Sequence, residues 1–352
     1  MNTICIPLNP SRVQQLKEYH DWIEKNPDES NLTDYWEIHS KKIKIKFKND
    51  SVTLTGESGF YFPKKLNPYT QLRRTIGQLP INLSYWIFIY SRNLLNRQYD
   101  FLSTYSKAYD NIRNNDPLLY RGSYKRGINW DKLQNAVLDF KTSRDMKKKY
   151  PASKTHTLDD TTIKSYFYLQ LIENIVSSLK NCTVCEIGPG TGNMASLLYH
   201  HFNTKLFLVD LPMTFFFSSA FLMQFCPAAK IALPHETAGI NFDPEGYDII
   251  MMTPQQTHQM QDQSIDLTVN LHSMQEMNDQ VIRSYFDLID RTTKPGGYLF
   301  CANRVEKVMD GKLLRFVDYP WRSQTRTIVY ELDPLLKLVN ISPGFIRMEQ
   351  YT

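Results

Sequence analysis

The chain has 352 residues, 42% hydrophobic and 22% charged, enough for a substantial core in one or two domains and too apolar for a largely disordered chain. A formal net charge of +5 is mild, so the lysine runs at 41–48 and 147–149 read as solvated surface, and no nucleic-acid partner is expected. Five scattered cysteines make no disulfide framework, no run reaches the ~20 apolar residues of a membrane span, and the first residues lack a secretory signal, so a soluble, cytoplasmic protein is expected.

In chain order, residues 41–55 alternate Lys with Ile and Phe, pass through Asn49-Asp50 and resume with Val-Thr-Leu-Thr, which predicts a hairpin with one apolar and one cationic face. Residues 83–114 and 130–146 carry Tyr, Leu, Phe and Ile at helical spacing, read as core-facing stripes. The polar segment 153–162 separates these from an apolar helix over 163–179. The reading is a mostly helical N-terminal domain, 1–155, carrying the hairpin and acting as substrate platform or lid, and a second domain, 156–352.

From Thr183 strands and helices alternate. Strands are expected at 184–187, 205–209, 247–252, 265–270 and 298–302, and helices at 194–202, 214–225 and 279–291. That alternation predicts an α/β fold, a Rossmann-like and mostly parallel sheet with helices on both faces, which binds ligands at the carboxyl ends of its strands. Cys182 and Cys185 form a C-x-x-C inside an apolar strand pattern, where buried structural thiols are the better reading.

The first strand runs into Glu186-Ile-Gly188-Pro-Gly190-Thr-Gly192 and then a helix, the position of a nucleoside-cofactor loop whose glycines allow a tight turn and close approach of a ligand. The third glycine arrives one residue sooner than in the dinucleotide fingerprint, and an acid stands two residues before the first. Asp210 closes the next strand, where a carboxylate can accept hydrogen bonds from both ribose hydroxyls. After the third strand, Gln255 or Gln256 is placed to read an adenine edge. The fourth strand delivers Asn270, Leu271 and His272 to the same end of the sheet.

The E-x-G-x-G-x-G spacing resembles motif I of the class I methyltransferases, whose loop holds the methionine end of S-adenosylmethionine. Asp210-Leu211-Pro212, and Asn270-x-x-Ser273-x-Gln275-Glu276-Met277 after strand four, look like the sugar O-methyltransferase family of bacteria. The resemblance covers about 161–319. It implies S-adenosyl-L-methionine as cofactor, held by Glu186, Gly188, Gly190, Gly192, Asp210, Leu211, Gln255 and Asn270. It also implies methyl transfer to a sugar, nucleotide-sugar or glycan hydroxyl in bacterial surface polysaccharide or glycan biosynthesis.

Such a transfer needs a base for the hydroxyl proton, and His272 and Glu276 are the candidates. If a helical turn follows the strand, the two, four apart, share one face, so that the carboxylate can orient the imidazole. His258 and Asp262 stand at the same spacing, but no metal is expected. The competing readings are transfer to another small hydroxylated metabolite or to RNA, or a methyltransferase-fold scaffold without turnover.

Overall fold

The computed structural model describes residues 2–26, 43–56 and 165–352, apart from 166–167, 170, 174, 177, 240–241, 310 and 334–343. The segments expected as helices over 83–114 and 130–146, and as a loop over 153–162, lie outside the described residues. β1 (Asn2–Pro7) pairs with β3 (Ser51–Gly56), and β3 with β2 (Lys44–Phe47), all antiparallel. The hairpin of β2 and β3 is the one the Lys-Ile alternation predicts, with Lys44 and Lys46 exposed and Val52 and Leu54 fully buried. β1 and α1 (Pro10–Lys25) add to that expectation. α1 starts where the Asn9 side chain accepts the Arg12 N–H at 2.9 Å and Pro10 pre-sets the first turn.

The second half follows the predicted alternation. Its elements are β4 (Thr183–Ile187), α2 (Asn193–Phe202), β5 (Lys205–Val209), α3 (Pro212–Phe225), β6 (Ile231–Ala232), α4 (Pro234–Thr237) and β7 (Ile249–Met252). Then come β8 (Ile265–Leu271), α5 (Asp279–Thr292), β9 (Thr293–Arg304), the hairpin β10 (Glu306–Met309) and β11 (Lys312–Arg315), β12 (Arg326–Leu332) and β13 (Gly344–Gln350). One eight-stranded sheet has the order β12-β13-β9-β8-β4-β5-β7-β6. β13 runs antiparallel to both its neighbours, and every other pairing is parallel. This is the Rossmann-like sheet that the alternation implies.

Successive residues of each strand feed opposite cores, as period-two geometry demands. On β5, Leu206 and Leu208 join the core beneath α2 and α3, whereas Phe207 and Val209 join the one beneath α5. Helices therefore cover both faces. α3 is apolar all round because it is covered twice, by the sheet below and by α1 above. Tyr19 stacks on Phe216 at 5.8 Å between centroids and donates its hydroxyl to the Pro212 carbonyl at 2.6 Å. Ile6, Val13, Leu16 and Tyr19 thus share one core with Phe215, Phe216 and Phe217, across the division expected at 155/156.

β13 escapes the hydrophobic pattern because it buries an ion pair. Arg347 and Glu349, two apart and so on one face, bond to each other at 4% and 2% exposure. Glu349 also accepts the Thr325 and Thr327 hydroxyls at 2.7 and 2.9 Å, and the guanidinium lies 4.3 Å from the Trp321 ring centroid. Buried charges persist only when satisfied in this way. None of the five cysteines is paired. Burial pushes the Cys185 thiol up to about 12, which suits a packing residue rather than a nucleophile. Among the described residues no helix is long and apolar enough to cross a membrane.

Candidate cofactor and catalytic site

The parallel register brings four strand ends to one level: Ile187 faces Val209 on one side and Asn270 on the other, and Val209 faces Met252. The glycine loop, Asp210, the Thr253 turn and His272 therefore emerge side by side along the carboxyl edge of the sheet, where ligands of such folds bind.

The three loop glycines do three different things. Gly188, at φ +71°, lies directly under the loop that follows β8, and a Cβ there would fall 1.9 Å from Ser273 Oγ and 2.3 Å from Ser273 Cβ. Gly192 abuts α3, where a Cβ would meet Leu222 at 3.0 Å. Of the three, only Gly190, at φ +57°, faces open space among the described residues, none of which has an atom within 4 Å of an added Cβ. Sequence reasoning assigns all three to close approach of a ligand. In the fold Gly188 and Gly192 make room for protein, and Gly190 alone leaves room for something else.

Two carboxylates flank this loop. Glu186 is 2% exposed at the end of β4 and accepts the Ala195 N–H at the start of α2, while its Oε2 has no partner among the described residues. Half-buried Asp210 accepts the Leu211 N–H at 2.8 Å and the Gly190 N–H. Burial pushes Glu186 up to about 8, with the neighbouring Asp210 adding to the rise, and pushes Asp210 up to about 7 against its two N–H donors. A buried acid with an unspent oxygen costs free energy until a donor or cation arrives. The site fits a ligand that carries such groups.

A pH dependence follows from these two acids. Each folded pKa lies above the ordinary carboxylate value, so between about pH 5 and pH 8 the folded protein keeps protons that the unfolded chain has released. Their contribution to stability is full below the unfolded pKa and is lost as pH rises through 7 to 8. In the absence of ligand, the wild-type midpoint of thermal unfolding is expected to fall across this window more than that of a Glu186→Gln, Asp210→Asn double variant. Parallel curves in differential scanning calorimetry would remove the basis for it.

Other expected site residues serve the scaffold. Asn270 is fully buried and donates to the Ile187 carbonyl at 2.9 Å, and its Oδ1 accepts from Asn303 at 2.8 Å and from the Met274 N–H at 3.3 Å. It clamps the tips of β4, β8 and β9 together. Gln256 folds back to cap its own turn, its oxygen taking the Thr253 N–H at 2.9 Å and its amide giving to the Pro234 carbonyl at 2.8 Å, whereas Gln255 is exposed. Gln275 accepts the Arg304 N–H at 2.8 Å and so ties the Gln-Glu-Met segment to β9.

The condition on which His272 and Glu276 would share a face, a helical turn running directly on from β8, is not met. His272 takes a left-handed conformation, φ +61°, with its N–H on the Ala302 carbonyl at 2.7 Å, and only a short 3₁₀ turn follows over Met274–Glu276. Glu276 is buried and paired with Lys307 of β10 at 3.7 Å; burial raises its pKa while Lys307 and Arg304 hold it down. The carboxylate linked to His272 is a different one. His272 Nε2 lies 2.9 Å from the Tyr168 hydroxyl, and that hydroxyl also bonds Asp333. Tyr168 comes from the helical residues before β4 and Asp333 from the end of β12, and both are fully buried. Neither residue stands in a recognisable motif. A strained non-glycine φ at a strand tip is where catalytic groups concentrate, at a cost of about 1–3 kcal/mol.

No family profile matches the chain, and no curated protein matches it either. Solved structures do resemble it in part. A SAM-dependent methyltransferase from Aquifex aeolicus is 11% identical, covering 60% of this chain and 98% of its own, with a TM-score of 0.38. The 1,6-didemethyltoxoflavin-N1-methyltransferase of Burkholderia thailandensis, solved with its substrate and S-adenosylhomocysteine, is 13% identical over 62% of this chain and 88% of its own, TM-score 0.38. The geranyl diphosphate C-methyltransferase of Streptomyces coelicolor is 9% identical over 55% and 82%, TM-score 0.39. The acceptors those enzymes methylate are their own.

Proposed function

We propose that the protein is an S-adenosylmethionine-dependent O-methyltransferase. The observation that carries this is the glycine loop set between buried Glu186, one oxygen of which is unspent among the described residues, and half-buried Asp210, with Gly190 facing space that no described residue fills. Asp210 would hold the ribose hydroxyls, Glu186 the cationic methionine end, and Gly190 would admit the ligand against the backbone. Gly188, Gly192 and Asn270 shape the site without needing to touch it. When bound, the cofactor supplies an electrophilic methyl group on a positively charged sulfur.

The chain's own part is to position the acceptor hydroxyl and remove its proton, for which His272 is the base. Glu276, between Lys307 and the cofactor edge, would bind an acceptor hydroxyl. The Asn270-x-x-Ser273-x-Gln275-Glu276-Met277 segment supports a sugar hydroxyl as the acceptor, in glycan or surface-polysaccharide synthesis. A mass-spectrometric screen of nucleotide sugars and bacterial polysaccharides for the gain of one methyl group tests that class directly.

The cofactor assignment has its own test. Asp210→Asn should weaken S-adenosylhomocysteine by about 1–3 kcal/mol in calorimetry, the range for lost hydrogen bonds to a charged acceptor. The 2′,3′-dideoxy analogue should bind both proteins alike. Equal losses for the two ligands would exclude a ribose contact.

A further inference from the structure

We propose that Arg304 binds an oxyanion, carboxylate or phosphate, carried by the methyl acceptor, so that the substrates are acidic rather than neutral sugars; this rests on the carboxyl edge of the sheet being a methyl-transfer site. Arg304 ends β9, and its N–H is held by the Gln275 side chain at 2.8 Å while the Gln275 N–H is held by Asn303 at 3.1 Å. These two bonds lock the backbone of Arg304 to the turn that carries Glu276. β9 alternates regularly as far as Arg304, which therefore falls on the face of Phe300 and Ala302. Tyr168 packs on that face, against Phe300 and the His272 ring, and the His272 N–H bonds the Ala302 carbonyl. Two residues of strand, about 7 Å, separate Ala302 from Arg304, a distance that a sugar ring and its acidic substituent can bridge.

Among the described residues the half-buried Arg304 guanidinium makes no hydrogen bond and no ion pair. Exposed Glu306, two residues on, does not pair with it either. A planar fork of N–H donors is thus left for solvent or ligand, and it matches the oxygens of a carboxylate or phosphate. Buried Glu276 takes Lys307 at 3.7 Å, not Arg304. Arg304 nevertheless acts on both through space. Burial raises the Glu276 pKa, and Lys307 and Arg304 lower it; burial lowers the Lys307 pKa, Glu276 raises it, and Arg304 lowers it again. Two cations therefore share one carboxylate, and their mutual repulsion is relieved when an oxyanion arrives. The cluster also borders the proposed ribose acid, because Glu276 adds to the rise that burial gives Asp210. A neutral sugar could offer hydroxyls to Glu276 but would cover Arg304 without balancing its charge, which is a basis for rejecting it.

The test is one of binding and needs no knowledge of the natural acceptor. The full chain, saturated with S-adenosylhomocysteine, is titrated with glucose, galactose and mannose, each as the free sugar, the uronate and the anomeric phosphate, and affinities are read by ligand-observed NMR. At least one anion is expected to bind about tenfold or more tightly than its neutral parent, the gain of hydrogen bonds to a charged group. A preferred uronate marks a carboxylate acceptor, and a preferred sugar phosphate marks a phosphorylated one such as a nucleotide sugar. Arg304→Gln should remove the preference, and Arg304→Lys, which keeps the charge but not the fork, should restore part of it. Both variants should hold S-adenosylhomocysteine within about twofold and unfold within about 2 °C of the wild type, since the guanidinium they lose bonds no described residue. Neutral sugars bound as well as the anions, no binding of any anion, or an anion preference that survives in Arg304→Gln overturns the inference. A wild type that does not bind S-adenosylhomocysteine overturns the methyltransferase reading instead, and the same titration of the unliganded chain then still decides whether Arg304 holds an oxyanion.

Discussion

Gly188→Ala is expected to destabilise the protein by about 2–5 kcal/mol, whereas Gly190→Ala costs the fold about 1–2 kcal/mol and abolishes cofactor binding. Both residues sit at positive φ, where an L side chain loses roughly 1–2 kcal/mol. At Gly188 the new methyl also falls within 2.3 Å of the Ser273 Cβ, which cannot swing aside without its backbone, and overpacking adds about 1–3 kcal/mol. At Gly190 it meets no atom of the described residues and instead occupies the space proposed for the ligand. Chemical denaturation and calorimetry with S-adenosylhomocysteine separate the two effects. Equal stability of the two variants would mean that Gly188 does not lie under Ser273, and wild-type affinity in Gly190→Ala would remove the loop from the cofactor site.

The second large effect is on the chemical step. His272→Ala should lower kcat by about 10² to 10⁴ with cofactor affinity little changed, because a general base contributes in the transition state and not to ground-state binding. The substitution also relieves little of the left-handed strain, since alanine has a Cβ as well. Glu276→Gln should lose less, mainly in KM, if Glu276 binds the acceptor. Should Glu276→Gln be the more damaging of the two in kcat, the roles of base and binder are exchanged. Methyl transfer from labelled S-adenosylmethionine to the acceptor found in the screen is the measurement.

Local periodicity carried the second half of the fold well. Lys205–Val209 is a strand at its expected bounds, and α2, α3 and α5 start and stop within two residues of expectation, because each has one or two apolar faces and clear ends. β13 was not legible, since Arg347 and Glu349 read as solvent-facing until their partners from elsewhere in the chain are known. β9 extends well before the predicted strand, through Gly296 and Gly297, which read as a turn.

At the candidate site, the placing of Glu186, the glycines and Asp210 on one edge of the sheet was legible because they lie in one stretch with fixed spacing. The division of labour among the glycines was not, because Ser273 and Leu222 approach them from other elements. Tyr168 and Asp333 were out of reach for the same reason: they are 165 residues apart, and an aspartate at a strand end is common in turns.

The double covering of α3 has a consequence for how the chain acquires its structure. α1 donates to the carbonyls of Pro212 and Ala229 across 193 and 217 positions of sequence, and β1 packs on the same helix. During synthesis α1 and β1 therefore lack this partner until the glycine loop, β5 and α3 have emerged behind them, and among the described residues α3 has no other outer cover until they dock. Closing loops of that length is entropically costly before any contact compensates, which places the docking of α1 late and makes folding slow relative to a protein of local contacts. In the interval, a helix carrying Phe215, Phe216 and Phe217 stands uncovered on one side, and that is the species on which chaperones or aggregation would act.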